Sequence, residues 1–144
     1  MVYNNNYKKY ERIFNMKRIL FTAPCKAELI EAERPKAAPG CAVVRVLVSS
    51  ISSGTERANV SGEPTVSYAV PLDEAEKNIR FPRCGGYSTC GIIEEVGEGK
   101  TDLKPGDRVA MSWTTHNQYV SVAFNNIYKL PDNISDNAGA LVHI

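Results

Sequence analysis

Residues that bind metals or form disulfides are few in this chain of 144 residues, which has four cysteines and two histidines. The cysteines, Cys25, Cys41, Cys84 and Cys90, are scattered, with no C-x-x-C pair. No Cys/His cluster has the spacing of a zinc site. We therefore expect reduced thiols in a cytoplasmic protein rather than two disulfides.

Long apolar runs and an excess of one charge are also missing. No apolar run approaches the ~20 residues that a membrane-spanning helix needs. The apolar run near the N-terminus, Ile19 to Phe21, is too short for a signal-peptide core. Seventeen basic and sixteen acidic residues leave a net charge of +1. This balance gives no reason to expect nucleic acid or a membrane as a partner. The length suits one domain.

A dinucleotide-binding fingerprint is the third absence. The G-x-G-x-x-G motif has to lie between a strand and a helix, because the pyrophosphate sits on the helix N-terminus. The nearest match, GEGKTD at residues 97–102, lacks the third glycine, and no βαβ pattern follows it. We interpret it as a turn and expect no cofactor-binding residue within this chain.

Glycine-punctuated strand patterns are what the chain does contain. Six of its ten glycines lie between residues 85 and 106, and Pro105, Gly106 and Asp107 favour a tight turn. Short apolar segments at intervals of 8–14 residues, with glycine at the corners, predict an all-β barrel with minor helix. The predicted strands are residues 17–21, 26–33, 41–49, 89–96, 107–113, 117–124 and 127–130.

The remaining segments carry weaker local signals. Residues 1–15 predict a poorly ordered extension before a start at Met16, or an ordinary flexible terminus. Residues 51–57 predict a turn into a short helix or loop, and 58–81 a surface excursion with one helical turn at 73–78. Asn125 and Asn126 predict a tight hairpin between the last two strands. Ser135 is expected to cap a final helix that begins near Asp136.

The glycine-rich stretch resembles the core signature of the GroES-like amino-terminal domain of the medium-chain dehydrogenase/reductase superfamily. That signature runs proline, Gly-His-Glu, Gly-x-Val, x-x-Val-Gly and Gly-Asp-Arg-Val. This chain has Pro82, then GYS at 86–88, GII at 91–93, EVG at 95–97 and GDRV at 106–109. The resemblance covers residues 17–144. It implies a partly open GroES-like β-barrel over residues 16–144, and a Rossmann cofactor domain that is absent from this chain.

The resemblance also bears on metal binding. Zinc-dependent members have a Cys-Gly-Thr-Asp loop and a Gly-His-Glu loop, whose cysteine and histidine are zinc ligands. Ser53 and Tyr87 stand at those two positions, and both are poor ligands for Zn²⁺. The four closely spaced cysteines of the structural zinc lobe are missing as well. The resemblance therefore implies a zinc-free branch, in which His143, near the third ligand position, holds no metal.

Catalysis without zinc requires hydrogen-bond donors at the substrate oxygen. The resemblance places Thr55 at the proton-relay position and Glu56 at that of an orienting acid. Thr55 and Tyr87 are the candidate donors; the alternatives are that Thr55 caps a turn and Tyr87 packs in the barrel mouth. His116 matches a histidine often seen in zinc-free members, where it lines the cleft; the alternatives are a surface histidine or a strand-capping one. The candidate catalytic residues are Thr55, Tyr87, Ser53, Glu56 and His116.

Trp113 is a lone tryptophan, and it is expected either in the core or as one wall of a substrate pocket.

Two functions are compatible with these patterns. The first is hydride transfer between NAD or NADP and a small alcohol or carbonyl substrate, in a homo-oligomeric enzyme whose other domain binds the cofactor. The second is a stand-alone GroES-like binding or assembly module. A chaperonin cofactor needs a mobile apolar loop, whereas residues 58–81 are mostly polar. The SGTE loop at 53–56 favours the dehydrogenase, and the isolated fragment is expected to be monomeric.

Overall fold

The computed structural model describes residues 15–62 and 81–143. In these ranges the elements are β1 (Asn15–Ala23), β2 (Lys26–Glu33), β3 (Cys41–Ser49), α1 (Ser53–Ser61), β4 (Ser88–Val96), β5 (Arg108–Ser112), β6 (Tyr119–Ala123), β7 (Ile127–Lys129) and α2 (Asp136–Gly139). The predicted mainly β class is confirmed. The predicted extension, except Asn15, and the helical turn at 73–78 lie outside the described residues.

β1 and β2 form an antiparallel hairpin, in which Ile19 is opposite Leu29. Both strands lie where the sequence predicts them, and β1 is two residues longer at each end than its apolar pattern suggested. Most of β2 is exposed. The hairpin is a two-stranded sheet of its own beside the main sheet.

The main sheet has five antiparallel strands in the order β6-β3-β4-β5-β7. The predicted hairpin between β6 and β7 is wrong, because β6 pairs with β3 and β7 pairs with β5. A single 3₁₀ turn, Phe124–Asn126, joins the two edge strands. Three residues span little more than ~10 Å, so the two edges of the sheet come close together. The sheet is therefore curled like a barrel wall.

The core lies inside this curled sheet. It is formed by apolar residues that are contributed by every one of the five strands, namely Ala42, Val44, Ile93, Val109, Met111, Val120, Val122 and Ile127. Gly91 marks a close approach of β4 to β3: a Cβ there would lie 2.8 Å from Val44 Cγ1 and press on the Arg45 carbonyl. Glycine in a strand interior is typical of such close backbone contacts.

Backbone hydrogen bonds from β1 join two separate segments of the chain. Lys17 N–H donates to Gln118 Oε1 at 2.7 Å, and Ile19 N–H donates to the His116 carbonyl at 3.0 Å. Further along the strand, Phe21 and Arg83 exchange two hydrogen bonds of 2.8 and 2.9 Å. β1 thus brings the segment after β5 beside the segment before β4.

The C-terminal helix α2 is tied to the sheet. Ser135 caps it as predicted, accepting from Ala138 N–H at 3.2 Å. Arg108 donates to Asp136 at 3.0 Å, and the Ser88 hydroxyl donates to the Ala140 carbonyl at 2.7 Å. Within residues 15–62 and 81–143, no helix is both long and apolar enough to cross a membrane.

Candidate active site

Helix α1 follows β3 and carries three of the predicted site residues. Ser53 is exposed and Thr55 is partly buried, whereas Glu56 is only 8% exposed. The Ser52 hydroxyl donates to Thr55 Oγ1 at 3.4 Å. One turn of helix therefore presents a hydroxyl near the surface and directs the next side chain, a carboxylate, into the interior.

Glu56 links helix α1 to the glycine loop. Its Oε1 accepts from the Gly86 N–H at 2.8 Å, so the residue after Thr55 is bonded to the residue before Tyr87. Its Oε2 lies 3.6 Å from His116 Nε2, and both side chains are almost completely buried. On its other side, His116 Nδ1 is hydrogen-bonded to the Ser49 hydroxyl.

The pKa of Glu56 lies below its ordinary value of 4.5. Burial disfavours the charged form and would raise the pKa. The His116 imidazole, the Gly86 N–H and the positive charge of Arg83 stabilise the carboxylate and outweigh that effect. The site is thus expected to hold an ionised carboxylate at neutral pH.

This lowered pKa predicts how stability depends on pH. The Glu56 carboxylate stabilises the fold above the pKa of the unfolded chain, and that contribution is lost as pH falls through the lower pKa of the folded chain. We expect Glu56→Gln to cost roughly 1–2 kcal/mol at pH 7 and to weaken the acid sensitivity below pH ~4.5. Urea denaturation between pH 3 and pH 7 measures both effects. The exposed Glu98→Gln is the control, and parallel pH profiles for Glu56→Gln and the wild type would contradict the prediction.

Gly85 and Gly86 allow Glu56 and His116 to approach the backbone. A Cβ on Gly85 would lie 2.7 Å from Phe21 Cζ and press on Glu56 Oε2. Gly86 has φ of 95°, a conformation that favours glycine, and its Cβ would meet the His116 backbone at 3.0 Å. The loop is also held from the opposite side, because His116 N–H donates to the Gly85 carbonyl at 3.2 Å.

Three aromatic rings lie together beside this loop. The His143 ring packs edge-on against Tyr87 at 6.1 Å and against Trp113 at 5.2 Å between centroids. Trp113 is 73% exposed and has φ of 58°, which is uncommon for a bulky residue. The expectation that Trp113 belongs to the core is wrong. The Trp113 and His143 rings are instead exposed at the surface, and His143 packs beside the half-buried Tyr87.

The structure thus gathers most of the predicted residues and adds two. Glu56 and His116 meet the backbone of the loop that precedes Tyr87, whereas Thr55 and Tyr87 are half-buried and Ser53 is exposed. The alternative that placed His116 at the surface is wrong. Sequence reasoning missed Ser49 and Gly85. The available signal for Ser49 was the break from apolar to polar residues at the end of β3.

Two further features bear on the chemistry of this domain, namely the state of the Cys90 thiol and the grouping of possible metal ligands. Burial, followed by the charge of Asp136, raises the pKa of the Cys90 thiol to about 11, so this residue is not a thiolate nucleophile at neutral pH. In the part of the chain that the structure describes, no three His, Cys, Asp or Glu side chains are grouped to hold a metal ion. Exposed Ser53 and aromatic-packed Tyr87 do not fit Zn²⁺.

A curled five-stranded antiparallel sheet with a glycine-loop cluster at one end defines a GroES-like β-barrel domain. Residues 38–132 match the family model described as "Alcohol dehydrogenase GroES-like domain". The chain belongs to this family, within the medium-chain dehydrogenase/reductase superfamily.

Known proteins that resemble the chain are considerably longer than it is. Putative alcohol dehydrogenase D of Mycobacterium tuberculosis is 34% identical over 95 residues, which make up 66% of this chain and 22% of that protein. (R,R)-Butanediol dehydrogenase of Bacillus subtilis is 30% identical over 138 residues, covering 76% of this chain and 39% of that protein. The crystal structure of 2R,3R-butanediol dehydrogenase from Bacillus subtilis has a TM-score of 0.70 at 25% identity, over 88% of this chain and 43% of that one. The chain thus spans less than half the length of these relatives.

Proposed function

We propose that this chain is the substrate-side domain of a zinc-free, NAD(P)-dependent oxidoreductase that acts on a small alcohol or carbonyl compound. Family membership and the dehydrogenase names of the relatives support the reaction class. The observation that carries the proposal is the Glu56 carboxylate, which accepts from Gly86 N–H at 2.8 Å. Through it, the segments that bear the Thr55 and Tyr87 hydroxyls are joined at one end of the barrel.

The chemistry assigned to this chain is the handling of the substrate oxygen. The nicotinamide, held by a separate domain, supplies the hydride when it is bound. Thr55 and Tyr87 then act as hydrogen-bond donors to the carbonyl oxygen, where negative charge develops during reduction. Glu56 fixes the two segments, and the exposed Trp113 and His143 rings form an aromatic wall beside the reacting centre.

A metal-free protein is the first consequence of this proposal. Ser53 and Tyr87 replace the thiolate and imidazole of zinc-dependent members, and a serine hydroxyl is a poor ligand for Zn²⁺. We expect elemental analysis after purification to find no stoichiometric zinc. We also expect an unchanged melting temperature in chelator. One equivalent of zinc per chain, or unfolding of the protein in chelator, would contradict the zinc-free assignment.

The second consequence concerns the dinucleotide. Residues 1–144 contain no G-x-G-x-x-G motif, and hydride transfer needs a fold that holds the cofactor against the substrate. We expect titration calorimetry to detect no binding of NADH or NADPH to this chain alone at concentrations up to about 1 mM, a range in which typical enzyme ligands bind. Micromolar binding would overturn the assignment of the cofactor to a separate domain.

The experiment that tests the function itself uses the enzyme in which this domain is followed by a cofactor domain. NADH and NADPH oxidation is measured with a panel of ketones, aldehydes and diketones, and NAD(P)⁺ reduction with the matching alcohols and diols. We expect turnover with at least one pair. Absence of turnover across the panel, in a folded enzyme that binds dinucleotide, would favour the binding-module alternative.

A further inference from the structure

Ser49 ends β3 and belongs to none of the sequence motifs, yet it opens a line of polar contacts. Its hydroxyl is hydrogen-bonded to His116 Nδ1. The other ring nitrogen, Nε2, faces Glu56 Oε2 at 3.6 Å, and Glu56 Oε1 accepts from the Gly86 N–H at 2.8 Å. The line therefore runs from the end of β3 through His116 and Glu56 to the loop that bears Tyr87.

The chemistry of these groups gives the line a direction. An ionised carboxylate only accepts hydrogen bonds, and a backbone N–H only donates. Among the residues that the structure describes, Glu56 Oε2 is buried without a hydrogen-bond partner within 3.5 Å, and leaving such an atom unsatisfied is costly. A proton on His116 Nε2 is the donor that meets this need. In a neutral imidazole Nδ1 is then an acceptor, which matches the hydroxyl of Ser49.

Other charged groups reach Glu56 less directly. The positive charge of Arg83 also acts on the carboxylate, but its Nη2 donates to Asn59 Oδ1 at 2.6 Å. Gly85 and Gly86, on the remaining side, contribute only backbone. His116 is thus the side chain that is placed to contact Oε2.

We propose that Ser49 and His116 are positioning residues: the Glu56 carboxylate selects the Nε2–H tautomer of His116, the Ser49 hydroxyl donates to its Nδ1 and holds the ring in place, and His116 in turn holds the carboxylate against the Gly86 N–H. Through this line the end of β3 sets where Tyr87 stands relative to Thr55. The catalytic meaning of that spacing rests on the proposed function, whereas the tautomer and the contacts can be tested without substrate or cofactor.

The first test is ¹⁵N NMR of the imidazole nitrogens in the 144-residue chain. It has only two histidines, and a His143→Gln variant assigns their signals. We expect His116 to be the Nε2–H tautomer at pH 7. We expect Glu56→Gln to shift it to the Nδ1–H tautomer, because an amide nitrogen in the place of Oε2 donates to Nε2, and we expect Ser49→Ala to keep the tautomer but to speed hydrogen exchange of the Gly86 amide. An Nδ1–H or doubly protonated His116 in the wild type, an unchanged tautomer in Glu56→Gln, or wild-type exchange in Ser49→Ala would overturn the proposal.

The second test compares two replacements of the same ring. The amide nitrogen of His116→Gln can take the place of Nε2, whereas that of His116→Asn can reach only the position of Nδ1. We expect His116→Asn to raise the Glu56 pKa towards its ordinary value and to speed hydrogen exchange of the Gly86 amide about tenfold. His116→Gln should leave both close to the wild type. If the two variants have the same Glu56 pKa and the same Gly86 exchange rate, His116 does not hold Glu56 through Nε2, and the proposal is rejected.

These measurements keep the two proposals separable. Failure of either test would leave the oxidoreductase assignment standing, because neither uses substrate or dinucleotide. If one of the His116 variants does not fold, the tautomer of the wild type and of Glu56→Gln decides the question by itself.

Discussion

Tyr87→Phe and Thr55→Val are each expected to lower kcat by roughly 10²–10³ in the enzyme that contains this domain. Each variant removes one hydroxyl and keeps the shape of the side chain, so the loss is that of one donor to a developing oxyanion, about 2.7–4 kcal/mol. The melting temperature should barely change, because Tyr87 keeps its ring contact with His143. Steady-state kinetics and thermal denaturation of both variants measure the two effects.

Tyr128→Phe provides a matched control for the tyrosine variant, because Tyr128 is 48% exposed and lies on β7, away from the glycine loop. It should retain the wild-type rate. The assignment fails if the two site variants also retain it, or if they lose rate and stability together. In either case the two hydroxyls would be structural rather than catalytic.

Gly91→Ala is expected to cost about 3 kcal/mol of unfolding free energy, at the upper end of typical overpacking effects. The added Cβ would lie 2.8 Å from Val44 Cγ1 and 3.0 Å from the Arg45 carbonyl carbon. The carbonyl belongs to the backbone of the neighbouring strand, so it cannot rotate away as a side chain would. Urea denaturation should show the loss, together with a fall in Tm of roughly 10 °C.

Gly54→Ala is the contrasting variant for that measurement. Gly54 lies in α1, and a Cβ there would meet nothing within 4 Å. Alanine is favoured over glycine in a helix by about 0.5–1 kcal/mol, so we expect a small gain in stability. A loss in Gly54→Ala equal to that in Gly91→Ala would show that close packing against Arg45 is not the cause.

The local features of the fold could be read from the sequence because neighbouring residues determine them. Gly106 adopts φ of 91° in the turn predicted from Pro105 and Asp107, and Ser135 caps α2. The pairing of β6 and β7 could not be read in this way. Asn125 and Asn126 do mark a turn, but which strands pair depends on the curl of the whole sheet.

The site was predictable only as far as its motifs extended. The SGTE and GYS segments pointed to Glu56 and Tyr87 even though the two segments are far apart in the sequence. The hydrogen bond between Glu56 and Gly86 joins residues that are 30 positions apart. The burial of His116 and the role of Ser49 depend on segments that tertiary structure brings together. Trp113 follows β5, is exposed and has a positive φ, a conformation that no local residue type signals there.

The hydrogen bonds between β1 and the segment after β5 have a consequence for how the chain folds. Lys17 is bonded to a residue 101 positions later, and such distant pairings slow folding because a long loop must close before the contact is gained. During synthesis β1 leaves the ribosome among the first elements, but it cannot complete its contacts until Gln118 has emerged. Assembly of the glycine-loop cluster is therefore a late event, and the hairpin has to persist or re-form until then.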